Sequence, residues 1–347
     1  MSRGELLLQD PMWFLHRINF ASGAFEFRKV RRDDISAATF LDERTLSSHT
    51  EKRELSFSEF REHENRITAQ RPAGNFVFHI GFCCSTLLMR ALDCPGTVLS
   101  LREPNLFHNL SDSKIWQKEK RFRQLGFDAA LAGGLRLLNK AFEGGESILI
   151  KPPNITNNLA HDILAADEAA RAVLLFIPLK QFLVSILKKG EAGKAFARKL
   201  FIKISREKNI RAAVGLRAPG ALTDLQISAV LWAAQMLTFR DVLQTFPNTR
   251  VLLMNGEKLA ENPVTQLERI SSHFGFSFGR EYFEAVVAGP VFKTDSKNPA
   301  RAYSSLQRRE EYRAIYQQNY DAVEAIMKWS FPQLQRMGLD KVSLWAV

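Results

Sequence analysis

Short apolar runs alternate with amphipathic segments from residue 75 onward. Five runs are apolar throughout and rich in β-branched residues, which is typical of strands in a parallel sheet covered on both faces. They are NFVFHIG (75–81), TVLSLRE (97–103), SILIKP (147–152), AVLLFIP (172–178) and RVLLMN (250–255). Helical segments are predicted at 85–93, 121–141, 179–190, 223–246 and 263–275. This β-α-β-α order predicts a three-layer α/β sandwich with a central, mainly parallel sheet.

The first 74 residues have a different pattern. The stretch FASGAFEFRKV carries a glycine turn between short strand-like runs, and SFSEFREHENRITAQ favours a short helix. RPAG at 71–74 is typical of a turn or a boundary. We therefore predict a β-rich N-terminal extension over 1–74, packed on a main domain over 75–347.

Positive charge is concentrated in one part of the chain. The net charge is +11, and residues 151–220 hold 13 lysines and arginines against 5 acidic residues. A local basic field attracts anionic ligands. A solvated helix face would give the same count, so the charge alone leaves both interpretations open.

Cellular context follows from what the sequence lacks. The start, MSRGELLLQDPMWF, has no signal-peptide pattern, and polar residues interrupt the most apolar stretches, so no membrane span is expected. Three cysteines cannot form a disulfide framework, which indicates a reducing cytoplasm. No histidine follows the cysteines at zinc-finger spacing, so no metal site is expected.

Candidate chemistry lies directly after each strand, because ligands of such sheets bind beyond the C-terminal strand ends. After the first strand, Cys83 and Cys84 precede Ser85 and Thr86 at a helix start. Backbone amides and hydroxyls there suit an anion, and Ser85 or Thr86 is expected to cap the helix. An ordinary capped helix would show the same residues. The G-x-x-x-x-G-K-[ST] motif is absent, which argues against an ordinary ATPase or GTPase.

Three further strand-end residues could carry a reaction. Glu103 follows the second strand and could act as a general base, or form a surface pair with Arg102. Lys151 ends the third strand before two prolines and could contact a phosphate or sulfonate, or simply face solvent. His79, at the end of the first strand, is an alternative base or a structural histidine.

The segment after the fourth strand is the basic one. Lys180, Ser185, Lys188 and Lys189 follow it on a predicted helix. Ser185 could face the ligand, or it could bond back to its own helix.

Taken in order, these segments resemble the sulfotransferase family, in particular a bacterial sulfotransferase-like group whose loop reads FHxxFCxSTLL. The resemblance runs from about Leu41 to Lys297 and rests on FHIGFCCSTLLMRALD, LREP, ILIKPPN, FLVSILKKG and RVLLMNGEKLAENPVTQLERISSHFGF. It implies a P-loop NTPase-like fold and a bacterial, cytoplasmic enzyme. Family members transfer a sulfonate from 3′-phosphoadenosine 5′-phosphosulfate (PAPS) to an acceptor hydroxyl or amine.

The resemblance also implies residue roles. The loop at 83–86 would hold the 5′-phosphosulfate, and Ser185 would bind the 3′-phosphate. Lys151 matches the lysine of a K-x-P motif, and Glu103 lies near the position of the base in several members. A basic stretch containing Lys297 and Arg301 would close over the cofactor.

The chain departs from the family pattern at three positions. Phe82 stands where the loop usually has a lysine or arginine, and Cys84 where it usually has glycine. Ile177 stands where an arginine precedes the helix serine. Either other cations replace the missing ones or the donor has been lost, and we favour replacement. The available substitutes are Lys151, Lys180, Lys188 and Lys189.

The leading hypothesis is thus a PAPS-dependent sulfotransferase acting on a small-molecule or glycan acceptor. One alternative is a catalytically inactive nucleotide- or anion-binding protein on the same fold. Another is a nucleic-acid binder using 180–217, which is disfavoured because Phe196 and Phe201 have core spacing. The stretches 104–146 and 196–222 are expected to shape the acceptor pocket. The sequence does not indicate an oligomeric state.

Overall fold

The computed structural model describes residues 3–20, 22–46, 50–67, 74–116, 125–207 and 222–341. The strands within these ranges, numbered along the chain, are β1 (Trp13–Asn19), β2 (Ala24–Lys29), β3 (Lys52–Ser56), β4 (Asn75–His79), β5 (Val98–Arg102), β6 (Ser147–Lys151), β7 (Arg171–Phe176), β8 (Val251–Asn255), β9 (Thr294–Asp295) and β10 (Asn298–Ala302).

The α-helices are numbered in the same way. They are α1 (Arg3–Gln9), α2 (Arg32–Ala37), α3 (Glu43–Leu46), α4 (Phe57–Ile67), α5 (Ser85–Leu92), α6 (Leu106–Trp116), α7 (Phe127–Leu138), α8 (Ala160–Ala166), α9 (Leu179–Lys188), α10 (Gly190–Ile204), α11 (Asp224–Thr245), α12 (Gly256–Glu261), α13 (Pro263–Phe274), α14 (Arg280–Ala288), α15 (Ser305–Gln318) and α16 (Tyr320–Arg336). Short 3₁₀ segments lie at Asn154–Leu159 and Pro290–Phe292.

The central sheet is parallel and has the order β5-β6-β4-β7-β8. Each of the five predicted apolar runs forms one of its strands, with ends that differ by at most two residues. Val77, Leu149 and Leu174 in its inner strands are fully buried, since helices cover both faces. The predicted α/β sandwich with a P-loop-like parallel sheet is therefore confirmed.

The strand order fixes where a ligand can bind. From the central strand β4 the chain moves to the edge at β5 and returns to β6 beside β4. It then crosses to β7 and β8 on the other side of β4. The side on which strands are added thus reverses at β4. In open α/β sheets the binding crevice lies at such a switch point, beyond the C-terminal strand ends.

Most predicted helices are also confirmed. The segments 85–93, 179–190, 223–246 and 263–275 form α5, α9, α11 and α13. The segment 121–141 forms α7 from Phe127 onward, and its first residues lie outside the described ranges. The two helices that follow the β9-β10 hairpin, α15 and α16, were not predicted.

The N-terminal part forms its own antiparallel sheet, β1-β2-β3. The predicted glycine turn is Gly23, at φ 67°, between β1 and β2, and the predicted short helix is α4. The fully buried Arg102 guanidinium ties this part to the central sheet by donating to the carbonyls of Ala38 (2.9 Å), Ile35 (2.6 Å) and Ser36 (2.8 Å). The proposed surface pair between Arg102 and Glu103 is therefore wrong. Residues 68–73 lie outside the described ranges, so the boundary at 74 stays a prediction.

Candidate active site

The loop between β4 and α5 has an unusual backbone. Gly81 (φ 89°), Phe82 (φ 57°) and Cys84 (φ 63°) are all left-handed. Glycine adopts this region freely, whereas other residues are destabilised there. Cys84, which stands where the family usually has glycine, therefore has an unfavourable backbone conformation.

Cys84 is the N-cap residue of α5, and no side chain caps the helix. The prediction that Ser85 or Thr86 caps it is wrong, because both already lie in its first turn. Thr86 is 2% exposed, and its Oγ1 has no hydrogen-bond partner among the described residues. A buried polar atom without a partner is destabilising by about 1–3 kcal/mol, so this hydroxyl indicates a place for a ligand atom.

Thr86 lines a cavity of about 370 Å³, within the size range of ligand pockets. Four pieces of chain form its wall: the loop at 82–87, the C-terminal end of α9, the β9-β10 hairpin and α15. The predicted site residues brought together here are Cys83, Cys84, Ser85, Thr86, Ser185, Lys188, Lys189, Lys297 and Arg301.

The cavity is electropositive. The cationic side chains among its described lining residues are Lys188, Lys189, Lys297, Arg301 and Arg308. The opposing carboxylates in the same lining are Asp295 and Glu311. Together with the positive end of the α5 dipole, this excess of cations favours an anionic ligand.

The two loop cysteines are not nucleophiles at neutral pH. Burial raises the pKa of Cys83 to about 11. Burial also raises the pKa of Cys84, although the positive charge of Arg308 opposes that rise. Since thiolates are the reactive form, the loop is suited to binding rather than to covalent catalysis.

Helix α15 contacts two of the predicted cofactor-binding residues, Ser185 and Lys188. Ser185 Oγ donates to the carbonyl of Gln181 (2.8 Å), so the Tyr312 hydroxyl donates to Ser185 Oγ. Ser185 therefore bonds back to its helix and also lines the cavity. Lys188 forms an ion pair with Glu311.

Lys180 does not reach this cavity. Its Nζ lies 2.9 Å from Glu324 Oε1 and 3.1 Å from the Tyr316 hydroxyl, on the side of α9 that faces α15 and α16. Its predicted role as a cofactor ligand has no support from this position. Ile177, at the position of the missing arginine, is fully buried.

The Phe82 ring packs against two other aromatic rings. Its centroid lies 5.8 Å from Phe182 and 5.3 Å from Phe196, both in edge-on geometry. Phe201 is buried at 4% exposure. Phe196 packs edge-on against Phe82 and Phe201 is buried, which does not favour stacking of either ring on a nucleic-acid base. Residues 208–217 lie outside the described ranges.

Arg308 is a cavity residue that the sequence reasoning missed. Its side chain is 11% exposed and forms a bidentate ion pair with Glu257. The Nη1–Oε2 distance is 3.2 Å and the Nη2–Oε1 distance is 2.5 Å. Its guanidinium lies 4.8 Å from the Tyr312 ring centroid. The spacing of Arg308, Glu311 and Tyr312 on one helix face was the available signal.

Beside the cavity, the three predicted catalytic residues form one cluster. The Lys151 ammonium bonds to Glu103, its Nζ lies 3.5 Å from His79 Nε2, and His79 Nε2 lies 3.8 Å from Glu103 Oε1. Lys151 is fully buried, so the alternative of a solvent-facing lysine is wrong. Glu103 has φ 55°, a left-handed conformation that holds its carboxylate at the end of β5.

The protonation of this cluster follows from burial. Burial lowers the pKa of His79 well below its usual range, and the charges of Lys151 and Lys297 lower it further, so the imidazole is neutral. Burial also lowers the pKa of Lys151, which Glu103 opposes. A carboxylate beside a buried ammonium and a neutral imidazole can exchange a proton with a bound hydroxyl or amine.

Phe40 joins the cluster to the cavity. Its ring centroid lies 5.4 Å from Lys151 Nζ and 5.9 Å from Lys297 Nζ. Lys297 lines the cavity and Lys151 belongs to the cluster with Glu103 and His79, so the cluster and the cavity are neighbours.

The described ranges contain no candidate metal cluster and no candidate membrane-spanning helix. No group of three or more histidine, cysteine, aspartate or glutamate side chains there could hold a metal ion. None of the helices described has both the length and the apolar character that crossing a membrane requires.

A sequence model of the sulfotransferase domain matches residues 167–324, from just before β7 into α16, whereas the loop at 81–84 precedes the match. Similar solved structures include the sulfotransferase domain of the curacin biosynthetic pathway, at 14% identity and TM-score 0.44, covering 72% of this chain and 98% of the other. A Mycobacterium tuberculosis sulfotransferase has 13% identity and TM-score 0.42, with 74% and 80% covered. One from Alicyclobacillus acidocaldarius has 14% and 0.40, with 80% and 99% covered. No curated protein matches the chain.

Proposed function

Because this chain carries a domain of the sulfotransferase family, matched over residues 167–324, we propose that it transfers a sulfonate from PAPS to an acceptor. The acceptor would be a hydroxyl or amine of a small molecule or glycan. A bacterial, cytoplasmic setting is part of the same proposal.

The observation that carries the proposal is the unpartnered Thr86 hydroxyl at the N-terminus of α5. It lies in a cavity where cations outnumber carboxylates. A donor with phosphate groups at both ends would supply the acceptor atom that the Thr86 hydroxyl lacks among the described residues, and its charge would be attracted by the N-terminus of α5 and by Lys189. These residues therefore fit a PAPS-type donor.

The donor would supply the sulfonate and leave as adenosine 3′,5′-bisphosphate. Glu103 is the base that takes the acceptor's proton, and Lys151 orients its carboxylate. The side chain of Glu103 is 20% exposed against 6% for His79, which favours Glu103 over the alternative base. Cys83 and Cys84 remain thiols, in keeping with direct transfer that forms no covalent enzyme intermediate.

Donor binding is tested first, by titration calorimetry with adenosine 3′,5′-bisphosphate. We expect binding in the micromolar range, and about tenfold weaker binding by Thr86→Val, which removes the hydroxyl at nearly constant volume. Thr238→Val is the matched control, because Thr238 bonds to the carbonyl of Ala234 away from the cavity. If the unmodified protein does not bind the bisphosphate, the proposal is wrong.

Transfer is tested by incubating PAPS with a panel of small-molecule and glycan acceptors and detecting sulfonated products by mass spectrometry. Glu103→Gln should lower kcat by about 10²–10⁴-fold while leaving the Kd for the bisphosphate within about twofold. Tight bisphosphate binding without transfer to any acceptor would instead support the inactive anion-binding alternative.

A further inference from the structure

The loop position that carries a cation in the family is apolar in this chain. Phe82 packs against Phe182 and Phe196, so it brings no charge to a ligand at the N-terminus of α5. Removing one such electrostatic donor from an active site typically lowers the rate by about 10²–10³. A protein that still uses the site therefore needs a cation from another element.

Helix α15 supplies such a cation to the cavity. Arg308 of α15 lies against the loop, and its charge acts on Cys84. It is fixed there by Glu257, the residue after Gly256, which itself packs on the Cys83 backbone. Glu257 accepts two of the five guanidinium N–H groups, which leaves donors for a second anion.

The cavity lining has cations on different elements. Ser185, Lys188 and Lys189 lie at the C-terminal end of α9. Arg308 is joined to the loop before Thr86 through Glu257 and the neighbouring Gly256, which packs on the Cys83 backbone. A donor with two separated anionic groups would therefore meet Arg308 with the group bound at the N-terminus of α5.

We infer that Arg308 replaces the missing loop cation and binds the sulfonate-bearing 5′-phosphate of the donor. This inference rests on the proposed function. It differs from the replacement expected from the sequence, which relied on Lys151, Lys180, Lys188 and Lys189. Of these, Lys151 belongs to the cluster with Glu103 and His79, and Lys180 lies outside the cavity. Lys188 and Lys189 line the cavity from the C-terminal end of α9 rather than from beside the loop.

A calorimetric test with three nucleotides distinguishes binding of the 5′-phosphate from binding of the 3′-phosphate. They are adenosine 3′,5′-bisphosphate, adenosine 5′-monophosphate and adenosine 3′-monophosphate. Arg308→Gln should weaken binding of the first two by about 10- to 100-fold. Binding of the 3′-monophosphate should change by less than about twofold. Arg309→Gln is the matched control, because this substitution removes the same charge from the same helix. Arg309 is exposed and does not line the cavity.

A rescue variant makes the test specific. Phe82→Lys returns a cation to the loop, so the double variant Phe82→Lys/Arg308→Gln should regain most of the lost affinity for the 5′-monophosphate. A purely structural role for Arg308 would give no rescue. Because Arg308→Gln leaves Glu257 without its partner, Arg308→Gln/Glu257→Gln is tested beside it as a neutral pair.

The outcomes separate this inference from the proposed function. If the unmodified protein binds the bisphosphate but Arg308→Gln keeps its affinity for the 5′-monophosphate, the inference is wrong and the proposed function stands. The inference is equally wrong if the variant loses affinity only for the 3′-monophosphate. If the unmodified protein binds none of the three nucleotides, both fail together.

Discussion

At the scale of single residues, backbone strain marks the candidate site. The non-glycine residues with positive φ in the described ranges are Phe82, Cys84 and Glu103. Phe82 and Cys84 lie in the loop between β4 and α5, and Glu103 is the proposed base. Such conformations are destabilising by about 1–3 kcal/mol each and persist where the surrounding structure holds them. Their clustering supports a site at this edge of the sheet.

The strain at Cys84 gives a prediction about stability. Because glycine is at ease in the left-handed region, Cys84→Gly should be more stable than Cys84→Ala by about 1 kcal/mol in urea unfolding. Comparing the two variants cancels the loss of the thiol. The order should reverse at Cys94, which is not left-handed, and an alanine variant at 84 as stable as the glycine one would contradict the argument.

The sequence predicted residue properties only where they depend on local chemistry. The departure at Cys84 was visible in the sequence, since the loop of the family it resembles usually has glycine there, and glycine is the usual residue at a left-handed position. The cap was not, because the helix begins one residue earlier than Ser85 would require as a cap. The burial of Lys151 also escaped prediction, since it depends on Glu103 and His79 from two other strand ends.

At the scale of elements, the loop between β4 and α5 packs against the residue that follows β8. Gly256 begins α12, and a Cβ added to it would lie 2.3 Å from the Cys83 carbonyl oxygen and 2.9 Å from its carbonyl carbon. Both are backbone atoms, so a side chain there must displace the loop itself. The close approach also brings Glu257, and with it Arg308, to the cavity.

Gly256→Ala should therefore affect both stability and binding. We expect a loss of about 1–3 kcal/mol in the free energy of unfolding and a clear loss of bisphosphate affinity, measured by urea unfolding and calorimetry. Gly144→Ala is the control, because a Cβ there would meet nothing within 4 Å, and it should stay within about 0.5 kcal/mol. Unchanged binding by Gly256→Ala would show that the loop tolerates the shift.

Elements differed in how well the sequence predicted them. Buried parallel strands are apolar along most of their length rather than at alternate positions, so all five were found. Helix α15 is polar and none of the residues in its described span is fully buried, so hydrophobic periodicity gives it almost no signal. The helix that carries Arg308 was therefore the hardest to predict, although it forms one wall of the site.

At the scale of the molecule, one arginine couples the N-terminal sheet to the central sheet. Arg102 lies at the end of β5 and donates to three backbone carbonyls between Ile35 and Ala38. The same N-terminal stretch continues to Phe40, beside Lys151. The extension thus contributes to the surroundings of Lys151.

Arg102→Lys should destabilise the protein by about 3 kcal/mol or more, because one ammonium cannot reach all three carbonyls and buried acceptors are left unpaired. Urea unfolding measures the loss, and limited proteolysis should reveal faster cleavage within the first 46 residues. Arg280→Lys serves as the control, since its ion pairs lie at the surface and should contribute little. Equal stability of the two variants would contradict the coupling.

At the scale of the molecule, histidines with lowered pKa values also determine how the free energy of unfolding changes in acid. Burial is the main cause that lowers the pKa of His16, His79, His108 and His273, so each is neutral in the folded protein at a pH where it is charged once unfolded. The unfolded chain therefore binds more protons below about pH 6.5, and stability falls as pH falls. Each such histidine contributes up to about 1.4 kcal/mol per pH unit until its folded pKa is reached.

We therefore expect the free energy of unfolding to drop between pH 7.5 and pH 5.5, before most carboxylates titrate. His79→Gln should reduce that slope, because the fully buried imidazole next to Lys151 and Lys297 has a pKa lowered well below 6.5. Replacing the exposed His161 by glutamine should leave the slope unchanged. Urea unfolding across this range measures both. If His79→Gln keeps the full slope, the histidine is already charged in the folded protein, and its neutral role beside Glu103 is lost as well.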